Sequence, residues 1–166
     1  MNWRFIGEKF FLSRTFSVSL LASHAILLAV FIAFRWVKPS GKSFVQFTHD
    51  IFHGELLRAP ITNSFILATI LESLAIGLLY ARSLHYQFFA YLAWASPFLL
   101  WEAGYHPAMI FGVWAAQEWA WNVYPSTDAS SFVVVMCLWV QVVGSFKNVR
   151  SAEAGSKLTR NKLHVQ

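Results

Sequence analysis

Residues 15–34 form an unbroken run of 20 residues without a formal charge, held between Arg14 and Arg35. A helix rises about 1.5 Å per residue, so about 20 apolar residues are needed to cross the roughly 30 Å hydrocarbon layer of a bilayer. This run meets that length. It is too long for the apolar segment of a cleavable signal peptide and lacks a small-residue cleavage site before Arg35-Trp36-Val37-Lys38, so it reads as a retained span. The rest of the chain follows suit. Of 166 residues 57% are hydrophobic and only 13% are charged, about half the charge of a soluble domain, and mean hydropathy is +0.48. The expected fold is all-α, a polytopic transmembrane helix bundle.

Four more apolar runs complete the expected set of about five spans, near residues 15–34, 61–81, 88–101, 107–123 and 130–146. The second is interrupted only by Glu72, the third contains Pro97, and Pro107 suits the first turn of the fourth. Ser126, Thr127 and Asp128 are all available to cap the fifth. The bundle therefore occupies residues 1–146, and residues 147–166 are expected to be a basic, disordered tail. Connections 82–87, 102–106 and 124–129 are short enough to force neighbouring helices into hairpins, whereas 35–60 is long. The absence of an internal repeat argues against a small transporter.

Five spans put the 35–60 loop, the 102–106 loop and the tail on one side, with nine Lys and Arg against four on the other. The positive-inside rule then makes the tail cytoplasmic. It also places 82–87 and 121–127 together on the opposite face. The net charge of +5 is thus read as topology, and no nucleic-acid partner is expected.

Those two segments hold the candidate chemistry. Arg82, Ser83, His85, Tyr86 and Gln87 crowd five polar groups at a membrane boundary. A guanidinium fork with neighbouring donors suits a lipid phosphate at headgroup depth. The plainer alternative is that Arg82 ends a helix and snorkels while Tyr86 joins an aromatic belt. Glu118 and Trp121 lie three apart on one helical face and lead through Asn122 into Tyr124-Pro125-Ser126-Thr127. An aromatic ring beside a carboxylate and an amide is suited to a sugar; an interfacial Trp belt is the competing account. His49 and His53 are four apart but have no third ligand nearby, and Cys137 is the single cysteine, so no metal or cofactor is expected. No Gly-rich phosphate loop or Gly-x-Ser-x-Gly elbow occurs.

The strings Ala81-Arg82-Ser83-Leu84-His85-Tyr86-Gln87-Phe88, Pro97-Phe98-Leu99-Leu100-Trp101 and Glu118-Trp119-Ala120-Trp121-Asn122-Val123-Tyr124-Pro125-Ser126-Thr127 closely resemble the dolichyl-phosphate-mannose-dependent alpha-1,3-mannosyltransferases of the endoplasmic reticulum. Asn2-Trp3-Arg4-Phe5 with Phe11-Leu12-Ser13-Arg14 looks like a further piece of the same pattern. The resemblance implies part of a C-type glycosyltransferase fold that moves mannose from dolichyl phosphate mannose to a five-mannose lipid-linked oligosaccharide on the lumenal face. It implies inversion at the anomeric carbon with an acidic general base, with Arg82, His85 and Gln87 near the lipid phosphate and Tyr86 among the substrate-binding residues. Glu118, Trp121, Asn122 and Tyr124 are implied near sugar.

In the family the segment like Asn2-Trp3-Arg4-Phe5 lies past the middle of a longer chain, and the catalytic acids lie in earlier lumenal loops. The sequence thus resembles a C-terminal portion, carries no catalytic residue of its own, and is expected to be inactive in isolation. A non-catalytic membrane protein that binds isoprenoid phosphate or partners a separate catalytic half is the alternative. Ser73-Leu74-Ala75-Ile76-Gly77 departs from the family pattern by losing an amide and an aromatic residue, and Glu72 has no counterpart in it.

Overall fold

The computed structural model describes residues 2–54, 62–85 and 87–147. Tyr86, Arg58 and all of the expected 147–166 tail except Lys147, which closes the last helix, lie outside the described residues. The described residues are helical with no strand: α1 (Glu8–Phe11), α2 (Arg14–Phe31), α3 (Phe44–Phe52), α4 (Asn63–Tyr80), α5 (Gln87–Glu102), α6 (Pro107–Asn122) and α7 (Asp128–Lys147). α2 runs on through a π-turn at Ile32–Trp36 and a 3-10 turn at Lys38–Ser40.

Three helical segments, Arg14–Ser40, Asn63–Tyr80 and Asp128–Lys147, are long and apolar enough to cross a membrane. α5 and α6 have 16 residues each, about 24 Å at the helical rise, somewhat short of the hydrocarbon thickness. Large apolar side chains face outward along the bundle, among them Leu21, Ile26, Trp94 and Phe111. Such a surface is stable where lipid is the solvent.

The starts of the helices follow from local chemistry. Ser13 Oγ accepts from Phe16 N at 3.1 Å, Thr62 Oγ1 from Phe65 N at 3.2 Å, and His106 Nδ1 from Ala108 N at 3.3 Å with Pro107 behind it. Of the three candidates at the start of α7, Thr127 does the capping. Its Oγ1 accepts from Ser130 N at 3.1 Å while Ser130 Oγ accepts from Thr127 N at 2.9 Å. α3 starts with a full capping box from Ser43 and Gln46. In the same loop Lys42 is hydrogen-bonded to Asp50 and holds its carboxyl below the usual range.

α6 packs along α7, α5 along α6, α4 along α7 and α2 along α4. Ile76, Leu79, Leu92, Leu99, Leu100 and Leu138 fill the interface. Polar side chains cross-link it. Gln117 Nε2 donates to Ser96 Oγ at 2.9 Å and Gln141 Nε2 donates to Gln117 Oε1 at 2.6 Å, with all three residues fully buried. This chain of bonds joins α5, α6 and α7 where apolar packing alone would not distinguish a neighbouring helix from lipid. Near the far end of α7, Gly144 lets the α5–α6 turn come close: an added Cβ would lie 2.6 Å from the Tyr105 ring.

Glu72 finds its explanation here. It is 2% exposed, accepts from Trp36 Nε1 at 2.6 Å, and its Oε1 lies 3.4 Å from Arg35 Nη2. Arg35 is itself 8% exposed. It is therefore no loop cation, as its position beyond an uncharged run suggested; the π-turn folds it back against α4. Without it the charge count is eight against four, so the orientation keeps its sign.

Candidate functional site

The antiparallel arrangement gathers one set of helix ends: the start of α2, the end of α4, the start of α5, the end of α6 and the start of α7. The opening segment 2–6 binds across them. Asn2 Nδ2 donates to the carbonyls of Leu78 at 2.8 Å and Ala81 at 3.1 Å, just past the end of α4. The Asn2 carbonyl accepts from Ser131 Oγ at 2.6 Å, and Ser131 Oγ accepts from Arg4 N at 2.9 Å, both at the start of α7. Arg4 Nε lies 3.2 Å from Asp128 Oδ1, and its Nη1 donates to the Ser126 carbonyl. Trp3 and Phe5 anchor the segment by edge contacts to Phe16 and Phe132, at 6.2 and 5.3 Å between ring centroids. The three polar strings of the sequence, at 2–5, 82–87 and 118–127, thus meet at one end of the bundle.

Two cavities open there. The first has a volume of about 420 Å3 and lies between α2 and α4. Its walls are mostly apolar, with Leu20, Leu21, Gly77 and Ala81 beside His24 and Tyr80, and Arg82 stands in its lining. Arg82 is exposed, donates from Nη1 to Ser17 Oγ at 3.0 Å, and lays its guanidinium 4.9 Å from the centre of the Phe11 ring. The contact with Phe11 supports the planar group. The Arg82 side chain is otherwise exposed. His85 in the same turn and Gln87 at the start of α5 are exposed but line neither cavity. Tyr86 falls outside the described residues.

The second cavity, about 300 Å3, lies between the turn at 82–85, the end of α6 and the start of α7. Asn2, Leu84, Phe89, Trp121, Tyr124 and Ser131 are among its lining residues. Trp121 is 9% exposed, and one ring face is stacked on Phe89 at 4.5 Å with an interplanar angle of 16°. Its indole edge, rather than an open ring face, is what it can offer a ligand. Tyr124 at the rim is 86% exposed and has the open ring. Glu118 is half-buried and Asn122 exposed, and neither lines the cavity; Asn122 Nδ2 turns back to the Glu118 carbonyl at 2.7 Å.

Sequence reasoning missed Asn2, Ser17, His24 and Tyr80 as site residues. Asn2 stood in a string that carried the resemblance, but no spacing rule connects it to residues 76–129 positions away. Among the described residues no group of three or more His, Cys, Asp or Glu side chains could hold a metal.

The described residues define a helical membrane bundle with an arginine on one apolar groove and a second cavity beside it. Comparison with known proteins makes this specific. The family described as ALG3 protein matches residues 1–131, a stretch that includes all three converging strings, and the chain belongs to that family. It is 48% identical over 98% of its length to the Dol-P-Man:Man(5)GlcNAc(2)-PP-Dol alpha-1,3-mannosyltransferase of Neurospora crassa. Proteins of the same description from Scheffersomyces stipitis and Homo sapiens are 40% and 36% identical over 89% and 82% of the chain. The chain spans 39%, 33% and 32% of the length of these three relatives. No solved structure matches it.

Proposed function

We propose that this chain forms part of a mannosyltransferase that moves mannose from dolichyl phosphate mannose to the five-mannose lipid-linked oligosaccharide in alpha-1,3 linkage. The reaction forms a bond between the acceptor hydroxyl oxygen and the anomeric carbon and breaks the bond from that carbon to the phosphate oxygen. Dolichyl phosphate leaves, and the hydroxyl proton passes to a general base, for which no residue of this chain is proposed. The bilayer is the medium, the endoplasmic reticulum the compartment, and the end carrying Arg82 the lumenal face.

The observation that carries this reading is the convergence of the three family-matching strings around an arginine on an apolar groove. The groove of Leu20, Leu21, Gly77 and Ala81 suits the isoprenoid chain next to the phosphate. Arg82 meets the phosphate through guanidinium edges not used by Ser17. His85 in the turn and Gln87 at the start of α5 complete the proposed phosphate side, and Tyr86 joins them by its place in the sequence alone. On the sugar side stand Trp121 and Tyr124 in the second cavity, with Glu118 and Asn122 behind them at the end of α6.

A graft tests the reading. This chain, substituted for the matching segment of the Neurospora crassa relative, is expected to restore mannose transfer in microsomes that lack the activity, while the chain alone gives none. A graft that inserts in the membrane but leaves transfer at background contradicts the proposal. Transfer by the chain alone contradicts the expectation that the catalytic acids lie outside it.

A further inference from the structure

None of the nine residues of α3 is buried, and Val45, Ile51 and Phe52 are 75%, 53% and 87% exposed. At about 100° per residue, Phe44, Val45, Phe47, Ile51 and Phe52 fall within one arc of about 160°, and Gln46, His49 and Asp50 take the other side. Thr48 falls inside the apolar arc, but its hydroxyl turns back to the carbonyls of Phe44 at 3.1 Å and Val45 at 2.9 Å, so its donor is used within the helix. The polar side is ordered as well. Asp50 accepts from Lys42, and the His49 and His53 rings stack at 4.0 Å.

The position of α3 says what meets its apolar face. Arg14–Ser40 is long and apolar enough to cross a membrane, and only residues 41–43 separate it from α3. Three residues span at most about 11 Å even when extended. Gly41, with φ 69°, turns the chain directly after the span, and Phe34 near the end of the span is exposed where lipid is the solvent. α3 is therefore within reach of the headgroup layer, at the end of α2 opposite the polar end. A helix of nine residues measures about 13 Å, too short to cross the hydrocarbon, so an apolar face held there can only lie along the surface. The charges agree with such a surface: Lys38 is exposed in the preceding turn, and Lys42 offsets the single carboxylate of the helix.

We propose that α3 is an interfacial helix that lies along the bilayer at the end of α2, with Phe44, Val45, Ile51 and Phe52 in the boundary between headgroups and acyl chains and Gln46, His49 and Asp50 toward water. Nine residues rarely hold a helix in water alone, so the capping box of Ser43 and Gln46 and the lipid-covered face stabilise it together. α3 packs against the π-turn, and its docking holds Arg35 and Trp36 at a set depth. The proposal draws on the membrane spans and not on the transfer reading.

The test uses the whole chain in nanodiscs of phosphatidylcholine and phosphatidylserine, with a nitroxide on Val45→Cys, Gln46→Cys, His49→Cys or Phe52→Cys in turn. Cys137 is buried, and the unsubstituted chain gives its background. All four positions are exposed, so the labels do not disturb the bundle core. Electron paramagnetic resonance then compares collisions with oxygen, which concentrates among acyl chains, and with a water-soluble nickel chelate. Oxygen is expected to lead at Val45→Cys and Phe52→Cys, and the chelate at Gln46→Cys and His49→Cys. The same order at all four positions, whichever reagent leads, overturns the proposal. Few collisions with either reagent at 45 and 52 mean that protein covers the face, a second copy or another chain, and overturn it too.

Discussion

Glu72→Ala is expected to lower the stability of the bundle by about 3–5 kcal/mol, the range for removing one partner of a buried ion pair. The carboxylate is nearly fully buried between Arg35 and Trp36, so its loss leaves a guanidinium and an indole N–H facing an apolar helix side. Arg35 Nε already has no partner among the described residues, so the group has little reserve. Thermal unfolding in detergent micelles checks this. The double change Arg35→Met with Glu72→Leu should recover most of the loss, because an apolar pair of similar volume carries no charge to desolvate. If the single change costs less than about 1 kcal/mol, the bond network is not what holds the π-turn to α4.

Arg82→Ala is expected to leave the fold intact and to weaken binding of dolichyl phosphate mannose about ten- to a hundredfold, the range for a lost charge-assisted hydrogen bond. The fold tolerates it because Arg82 is exposed and its bond to Ser17 and contact with Phe11 contribute little to stability at a surface. Arg82→Lys should lie between the two, keeping the charge and losing the planar fork. A titration of nanodiscs with the donor lipid reads all three proteins. Wild-type affinity in Arg82→Ala would take the arginine out of the proposed phosphate site.

Helix identity was legible because long, mostly uncharged apolar runs admit few structures, and the residues at their starts, Ser13, Thr62, Pro107 and Thr127, are good helix starters. The partners of buried polar residues were not. Glu72 and Arg35 are 37 residues apart, and Arg35 stands at the edge of an apolar run, where a charge normally signals the water boundary. Only the π-turn reveals that it points inward. Ser96, Gln117 and Gln141 drew no reading from the sequence, because their spacing along the chain does not say which helices meet. Trp121 was recognised, yet its stack on Phe89 depends on the meeting of α5 and α6, so the choice between ring face and indole edge awaited the fold. Asn2 could be tied to α4 and α7 only in three dimensions.

The account depends on the end that gathers Asn2, Arg82 and Tyr124 facing the compartment opposite the tail. Cys137 is the single cysteine and is buried, so a cysteine introduced at an exposed position can report sidedness with a membrane-impermeant thiol reagent. In sealed microsomes Tyr124→Cys should stay unlabelled until the membrane is permeabilised, while Lys147→Cys, exposed at the opposite end of α7, is labelled from outside at once. Labelling of Tyr124→Cys in the intact vesicles would put the proposed sugar and phosphate sites on the wrong side of the membrane.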